Sequence, residues 1–279
     1  MSLQATTQLD ALRAQIAARR AQGQRIGLVP TMGNLHPGHL ALVTHLRASC
    51  DCLVTTIFVN PTQFGPNEDF ATYPRTLTDD LAALEGEDVD LVWAPPVDAM
   101  YPLDSPFLIQ VPQALSGSLC GAHRPGHFDG VASVVLRLFL QAQPDAAVFG
   151  EKDFQQLLVI RQLVEDYSLA IDVQALPTVR EPDGLAMSSR NQYLSADERA
   201  VAGELHRVLV QAAERLRAGE PWPALQARAI NALESVGFAP QYLAWRSATT
   251  LGPPRQDEAQ RLLAAAQLGQ ARLIDNVPV

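Results

Sequence analysis

The sequence predicts an α/β fold built on a parallel sheet, followed by a smaller α+β region. Short β-branched runs alternate with runs of helical spacing as far as Leu176. Several of the β runs are almost wholly apolar, as strands covered on both faces are. Beyond Ser195 the texture changes to long helical stretches and then short β-like pieces. Strands that alternate with helices connect by right-handed crossovers, so the sheet of the first part is parallel.

Each element follows from its pattern. Thr7 to Ala21 places Leu9, Leu12 and Ile16 at helical spacing, and Arg25 to Pro30 is a short β-rich run. Gly38 to Ser49 is helical, with Leu40, Val43 and Leu46 on one stripe, and Leu53 to Val59 (LVTTIFV) is a strand. Helix over 77–84, strands over 89–93 and 107–111, and helix over 131–141 come next. Strand 146–149, helix 153–166 and strand 171–176 complete the alternation. The second part opens with helices over 196–217 and 221–236 and ends with β-like pieces at 241–245 and 271–274. A domain boundary is placed near Thr178, dividing 1–178 from 179–279.

Composition excludes several classes. The chain has 279 residues, a hydrophobic share of 47% and a net charge of −9, ample for a core and a poor match to a nucleic-acid backbone. No apolar run reaches the roughly 20 residues of a bilayer span, and the first residues lack the order of a signal peptide. Cys50, Cys52 and Cys120 cannot all pair within the chain and lack the spacing of a closed zinc site. Free thiols point to a cytoplasmic setting. Lys152 is the only lysine beside 20 arginines, which fits either chance or a place where a compact ammonium is required.

Ligands of an open parallel sheet sit beyond the carboxyl ends of its strands. The polar clusters fall there: TMGNLHPGHL (31–40), NPTQF (60–64), GEKDFQQ (150–156) and TVREPDGLAMSSRN (178–191). His36 and His39 share a helical face at a helix start, with Gly33 and Gly38 allowing close backbone approach. Helix amides and the partial positive charge there suit a nucleotide phosphate. An H-x-x-H pair also grips zinc, but no third ligand neighbours it. His45 and His206 read as surface residues. Lys152 lies before Asp153, a candidate helix N-cap, where an ammonium neutralises a transferring phosphoryl group. Ser188, Ser189 and Arg190 offer two hydroxyls and a guanidinium to phosphate oxygens. His123-Arg124-Pro125-Gly126-His127 reads as a mobile basic lid or a surface loop.

Taken together, PTMGNLHPGH (30–39), FVNPTQF (58–64), RPGHFDGV (124–131), FGEKDFQQ (149–156) and REPDGLAMSSRN (180–191) resemble the pantoate–β-alanine ligase (pantothenate synthetase) family. The His-x-Gly-His motif alone marks a wider nucleotidyltransferase superfamily; the five segments in this order mark the ligase, and ARLIDN (271–276) resembles its last strand. The resemblance implies a Rossmann-like N-terminal domain, a C-terminal lid domain and a homodimer. It implies that ATP and (R)-pantoate form pantoyl adenylate and pyrophosphate, and that β-alanine then gives pantothenate and AMP, with Mg²⁺ accompanying ATP. Catalytic roles are implied for His36, His39, Lys152, Ser188, Ser189 and Arg190, with His39 as proton donor. ATP-binding stretches are implied at Met32, Gly33, Asn34, Leu35, His36, Pro37, Gly38 and His39, at Gly150, Glu151, Lys152 and Asp153, and at Val179 and Met187 to Arg190. Gln63 and Gln156 match the pantoate-holding residues, Gln63 also lying beside β-alanine. The chain departs from the family pattern at Leu119-Cys120-Gly121, where an acidic residue is expected before Arg124, and at Ser133 and Arg137, where Thr and Lys are commoner.

The chemistry needs no protein nucleophile: a carboxylate attacks the α-phosphorus and pyrophosphate leaves, so positioning and charge stabilisation suffice. Three rivals make different demands. A plain adenylyl- or cytidylyltransferase stops at nucleotide transfer, a zinc hydrolase needs His36, His39, His123 and His127 together, and an ATP-binding regulator releases no pyrophosphate.

Overall fold

The computed structural model describes residues 3–66 and 68–279. In chain order the elements are β1 (Ala5–Thr6), α1 (Leu9–Ala21), β2 (Ile26–Thr31), α2 (Pro37–Arg47), β3 (Cys52–Ile57), α3 (Leu77–Glu85), β4 (Leu91–Trp93) and α4 (Val97–Met100). They continue with α5 (Gln113–Ser116), α6 (Cys120–His123), α7 (His127–Ala142), β5 (Ala146–Gly150), α8 (Phe154–Asp166) and β6 (Asp172–Leu176). Last come α9 (Ala196–Val201), α10 (Glu204–Arg217), α11 (Trp222–Glu234), β7 (Ala239–Ser247), β8 (Gln260–Leu268) and β9 (Ala271–Pro278).

The chain divides into two compact units: residues 1–111, 124–151 and 159–177, and residues 112–123, 152–158 and 178–279. The first holds a six-stranded sheet of order β1-β4-β3-β2-β5-β6, with every pair parallel. This is the expected α/β architecture. The chain runs outward from β2 through β3 to β4, then returns to the other side of β2 to place β5 and β6. That reversal makes the carboxyl ends of β2 and β5 the topological switch point, where such sheets bind ligands. Leu28, Val29, Leu53, Val54, Ala146 and Val148 are fully buried, so the middle strands are apolar on both faces.

One expected strand is absent. Residues 107–111 run without a ladder partner, because the amides of Ile109 and Val111 donate to Ser133 Oγ (2.7 Å) and Asp129 Oδ1 (2.8 Å) on α7. The β-like composition is real, but side-chain oxygens meet the backbone in place of a neighbouring strand.

The second unit contains the antiparallel sheet β7-β8-β9, with Leu205, Leu209, Leu233, Leu262 and Leu273 in one buried cluster. The single helix expected over 196–217 is two, α9 and α10. Their junction includes Gly203, where an added Cβ would lie 2.6 Å from the carbonyl oxygen of Asp183. The central strand β8 (QRLLAAAQL) is made largely of good helix formers, and pairing with β7 and β9 overrides that preference. Among the described residues no helix is long and apolar enough to cross a membrane.

Candidate active site

The loop after β2 is held by several specific hydrogen bonds. His36 is the N-cap of α2, in extended conformation, and its Nδ1 accepts the Gly38 amide (3.1 Å). His39 Nδ1 reciprocates by accepting the His36 amide (3.4 Å), so the two imidazoles form a capping box, their rings tilted at 32° with centroids 4.0 Å apart. An Nδ1 that accepts an N–H carries a lone pair, so each neutral ring bears its proton on Nε2. The His39 amide donates to the His36 carbonyl at 2.8 Å. This corrects the expectation of unpaired helix amides: the first turn of α2 is already capped by its own histidines.

Asp80, on α3 and 2% exposed, holds the preceding turn. Its carboxylate accepts from the amides of Asn34 (3.1 Å) and Leu35 (2.8 Å) and from Thr76 Oγ1 (3.2 Å). Gly33 turns with φ +80°, and an added Cβ would lie 2.9 Å from Asp80 Oδ2 and 3.0 Å from Ile57 Cγ2. Both the left-handed turn and the space therefore demand glycine. No local motif announces Asp80; only the fold brings α3 under this loop.

Gln63 closes a short 3-10 turn after β3. Its Oε1 accepts from Asn60 Nδ2 (3.1 Å), which orients the amide and aims Nε2 at Met32 Sδ (3.0 Å). Asn60 is 1% exposed and also donates to the Gly130 carbonyl (3.2 Å), while its Oδ1 accepts from Tyr101 Oη (2.7 Å) and Thr62 Oγ1 (3.0 Å). Asn60 lies inside the NPTQF segment, yet its role as the hub of this turn is visible only in three dimensions.

In the basic stretch, Arg124 and His127 are both hydrogen-bonded to neighbouring segments. Arg124 donates to both oxygens of Glu68 (2.7 and 2.6 Å) and to His127 Nε2 (2.9 Å). His127 Nδ1–H in turn donates to the Gln63 carbonyl (2.8 Å). Burial pushes the Glu68 carboxyl up, but the bonds and charge of Arg124 outweigh it and hold the group below its ordinary range. Glu68 is thus the carboxylate that pairs with Arg124. Ser133 is explained by its bond to Ile109, and Arg137 lies over the Tyr101 ring at 4.7 Å.

A second polar segment follows β5. Gly150 ends the strand, and an added Cβ there would meet nothing within 4 Å. Glu151 to Asp153 form a 3-10 turn leading directly into α8.

In the second unit Lys152 is partly buried, with Nζ 3.5 Å from Asp153 Oδ2. The adjacent glutamines separate clearly. Gln155 is 4% exposed and spends both ends on the backbone, accepting from Cys120 (3.0 Å) and donating to Leu115 (2.7 Å) and Ser118 (2.9 Å). Gln156 is half-buried. Cys120 lies 3.0 Å from Tyr242 Oη and 3.4 Å from Arg272 Nη2; burial, then the Cys120 neighbour, push the Tyr242 phenol far up.

Val179 and Met187 are brought together by a tight hairpin. The Met187 amide donates to the Val179 carbonyl (3.0 Å), Arg180 pairs with Ala186, and the Glu181 amide donates to Leu185 (2.8 Å). Pro182 and Gly184, at φ +90°, make the turn. Ser188 Oγ accepts the Arg190 amide (3.2 Å) and caps a 3-10 turn over Ser189–Tyr193. His206, expected at the surface, instead packs against this turn: its Cδ2 lies 2.8 Å from where a Gly184 Cβ would be, and its Nδ1 lies 3.3 Å from Asp275 Oδ2. His45 is exposed, as expected. Among the described residues no group of three or more His, Cys, Asp or Glu side chains is placed to hold a metal ion.

A family model described as pantoate-beta-alanine ligase matches residues 4–278. A pantothenate synthetase of Alkalilimnicola ehrlichii is 53% identical over 95% of this chain and 94% of its own. That of Chromohalobacter salexigens is 54% identical over 96% and 95%. A pantothenate synthetase structure from Thermus thermophilus superposes with TM-score 0.92 at 44% identity, covering 99% of both chains. A pantoate-beta-alanine ligase of Francisella tularensis, complexed with beta-gamma ATP and beta-alanine, superposes with TM-score 0.83 at 32% identity, covering 99% of this chain and 97% of that one.

Proposed function

The chain belongs to the pantoate-beta-alanine ligase family, and from that premise we propose which of its residues carry the reaction. The enzyme joins pantoate to β-alanine with ATP through a pantoyl adenylate. The pantoate carboxylate attacks the α-phosphorus, the bond to pyrophosphate breaks, and the β-alanine amine then displaces AMP from the acyl carbon.

His36 and His39 donate their Nε2–H groups to phosphate oxygens as pyrophosphate departs, His39 being the proton donor. The observation that carries this reading is that backbone amides occupy both Nδ1 atoms. The tautomers are thereby set before ATP arrives, at no reorganisation cost during reaction. Met32 to His39 and Gly150 to Asp153 line the nucleotide, Gly150 leaving room for close approach and Lys152 placing its ammonium against the transferred phosphoryl group. Ser188 keeps its hydroxyl proton to donate while its oxygen accepts the Arg190 amide. Ser189 adds a second hydroxyl, and the Arg190 guanidinium suits two phosphate oxygens at once. Val179 and Met187 complete the nucleotide contacts.

Gln63 and Gln156 hold pantoate through neutral amides, which bind its oxygens without quenching the nucleophile. The Gln63 Nε2 contact with Met32 sulfur is with a weak acceptor, so a substrate oxygen displaces it readily, next to the β-alanine position. Mg²⁺ would enter with ATP as part of the nucleotide substrate, taking phosphate oxygens and water as ligands. The same reading includes a functional division at 178/179 with a C-terminal lid, a homodimer, and a cytoplasmic setting in keeping with three free cysteines.

The test is pyrophosphate release with ATP, Mg²⁺ and (R)-pantoate, with and without β-alanine. Steady release that needs both acids, with pantothenate and AMP accumulating, is the expected outcome. Release that ignores pantoate, or none at all, overturns the substrate assignment.

A further inference from the structure

Strand β9 carries a buried polar dipeptide, Asp275-Asn276, each residue 4% exposed. Strand pairing does not require it: the partners on β8 are Ala264 and Leu263. Burying a carboxylate and an amide costs free energy unless their partners are in place, so the partners indicate what the dipeptide is for.

Asp275 accepts a two-pronged bond from Arg180, Nη1 to Oδ2 (2.7 Å) and Nη2 to Oδ1 (2.9 Å), and its Oδ1 also accepts the Asn276 amide (2.7 Å). Burial raises the Asp275 carboxyl, but His206, Arg180 and the Asn276 amide together bring it below its ordinary value. Arg180 Nη1 donates onward to the Gly184 carbonyl (2.9 Å), bracing the turn that delivers Met187 to Arg190. Asn276 Nδ2 donates to the main-chain carbonyl of Lys152 (3.1 Å). Its Oδ1 accepts from Arg261, whose guanidinium lies over the Phe154 ring at 4.0 Å, two residues beyond Lys152.

We propose that Asp275 and Asn276 are positioning residues for adenylation: one strand sets both the Lys152 main chain and the Arg180–Arg190 hairpin from adjacent residues. Successive strand residues face opposite ways, so the two anchors reach different segments. They are nevertheless joined by one peptide unit about 3.8 Å long, and this fixes the two segments relative to each other. Misplacement of a reacting group by about 1 Å costs on the order of 10² in rate. The inference rests on Lys152 and Met187 to Arg190 handling ATP.

The test uses pantoate-dependent ATP–pyrophosphate exchange on the full chain, with the active fraction titrated from the pyrophosphate burst. Asn276→Asp keeps the volume and the oxygen that Arg261 contacts but removes the donor to Lys152. It is expected to lower the exchange rate per active molecule by about tenfold or more, with KM for pantoate within about twofold. Added to Lys152→Ala, the same change is expected to cost little further, because it acts through that residue. Asp275→Asn, which weakens the grip on Arg180, is expected to behave in the same way against Arg190→Ala. A purely structural dipeptide would instead lower the active fraction and the melting temperature while leaving the rate per active molecule intact, and that result overturns the proposal. Full activity in Lys152→Ala overturns the ATP assignment itself. Loss in Lys152→Ala with wild-type rates in Asn276→Asp sinks the positioning role alone.

Discussion

His36 to His39 and Met187 to Arg190 both place polar side chains just after a glycine-bearing turn, yet they are held by different means. The first is largely self-made: its rings cap the helix they begin, and Asp80 adds a clamp from α3. The second takes its shape from a hairpin whose brace, Arg180, is anchored on Asp275, 95 residues downstream in sequence. A cap built from the motif's own residues travels with the motif. An ion-paired brace exists only once the last strand is in place, so the second segment is the more exposed to distant change.

Lys152→Ala is expected to produce the largest effect, with adenylation falling by about 10³-fold and the circular dichroism spectrum unchanged. Near wild-type turnover in that variant would remove Lys152 from the chemistry.

Next come the histidines, which separate capping from catalysis. His39→Ala and His36→Ala are each expected to slow the first half-reaction by about 10². Asparagine is a good N-cap but has no Nε2–H. His36→Asn is therefore expected to keep the melting temperature and still lose the rate, measured by single-turnover pyrophosphate release. Retained rate in His36→Asn would mean that His36 serves only as a cap.

A smaller, structural effect is expected at Asp80. Asp80→Asn turns an NH₂ toward one of two backbone amides, at an expected cost of about 1–3 kcal/mol in urea unfolding. A change within about 0.3 kcal/mol would show that the loop holds itself without α3.

The smallest effect concerns acid stability. Glu68 is held below its ordinary carboxyl value by Arg124, so its contribution is complete above that value and disappears as pH falls through the depressed one. Glu68→Gln is expected to flatten the decline of melting temperature below about pH 4.5. An unchanged acid limb would place the wild-type pH dependence elsewhere, Asp275 and Asp183 being two further depressed carboxylates.

Much of the candidate site is legible in the residues alone, because its segments are contiguous and sit at strand ends. Their supports are not. Asp80, Asn60, Glu68 and Arg180 act across gaps in sequence: Asp80 and Glu68 lie outside the motif segments, and Asn60 and Arg180 lie inside them without any local sign of their partners. Gln155 and Gln156 make the same point: identical neighbours in sequence, one consumed by backbone bonds and the other half-exposed. The strand expected over 107–111 and the unannounced strand β8 err in opposite directions for one reason. Strand composition reports fitness for a sheet, while pairing depends on what lies alongside.

By itself the sequence determined the alternation that makes the first sheet parallel, the polar motifs at its strand ends and the family. These are local: periodicity, turn chemistry and residue type act over a few positions. Only the tertiary structure decided which imidazole nitrogen carries the proton and that Glu68 neutralises Arg124. It also decided that the last strand braces Lys152 and the Met187 to Arg190 hairpin. Those outcomes depend on hydrogen bonds between residues far apart in the chain, whose partners are chosen by packing.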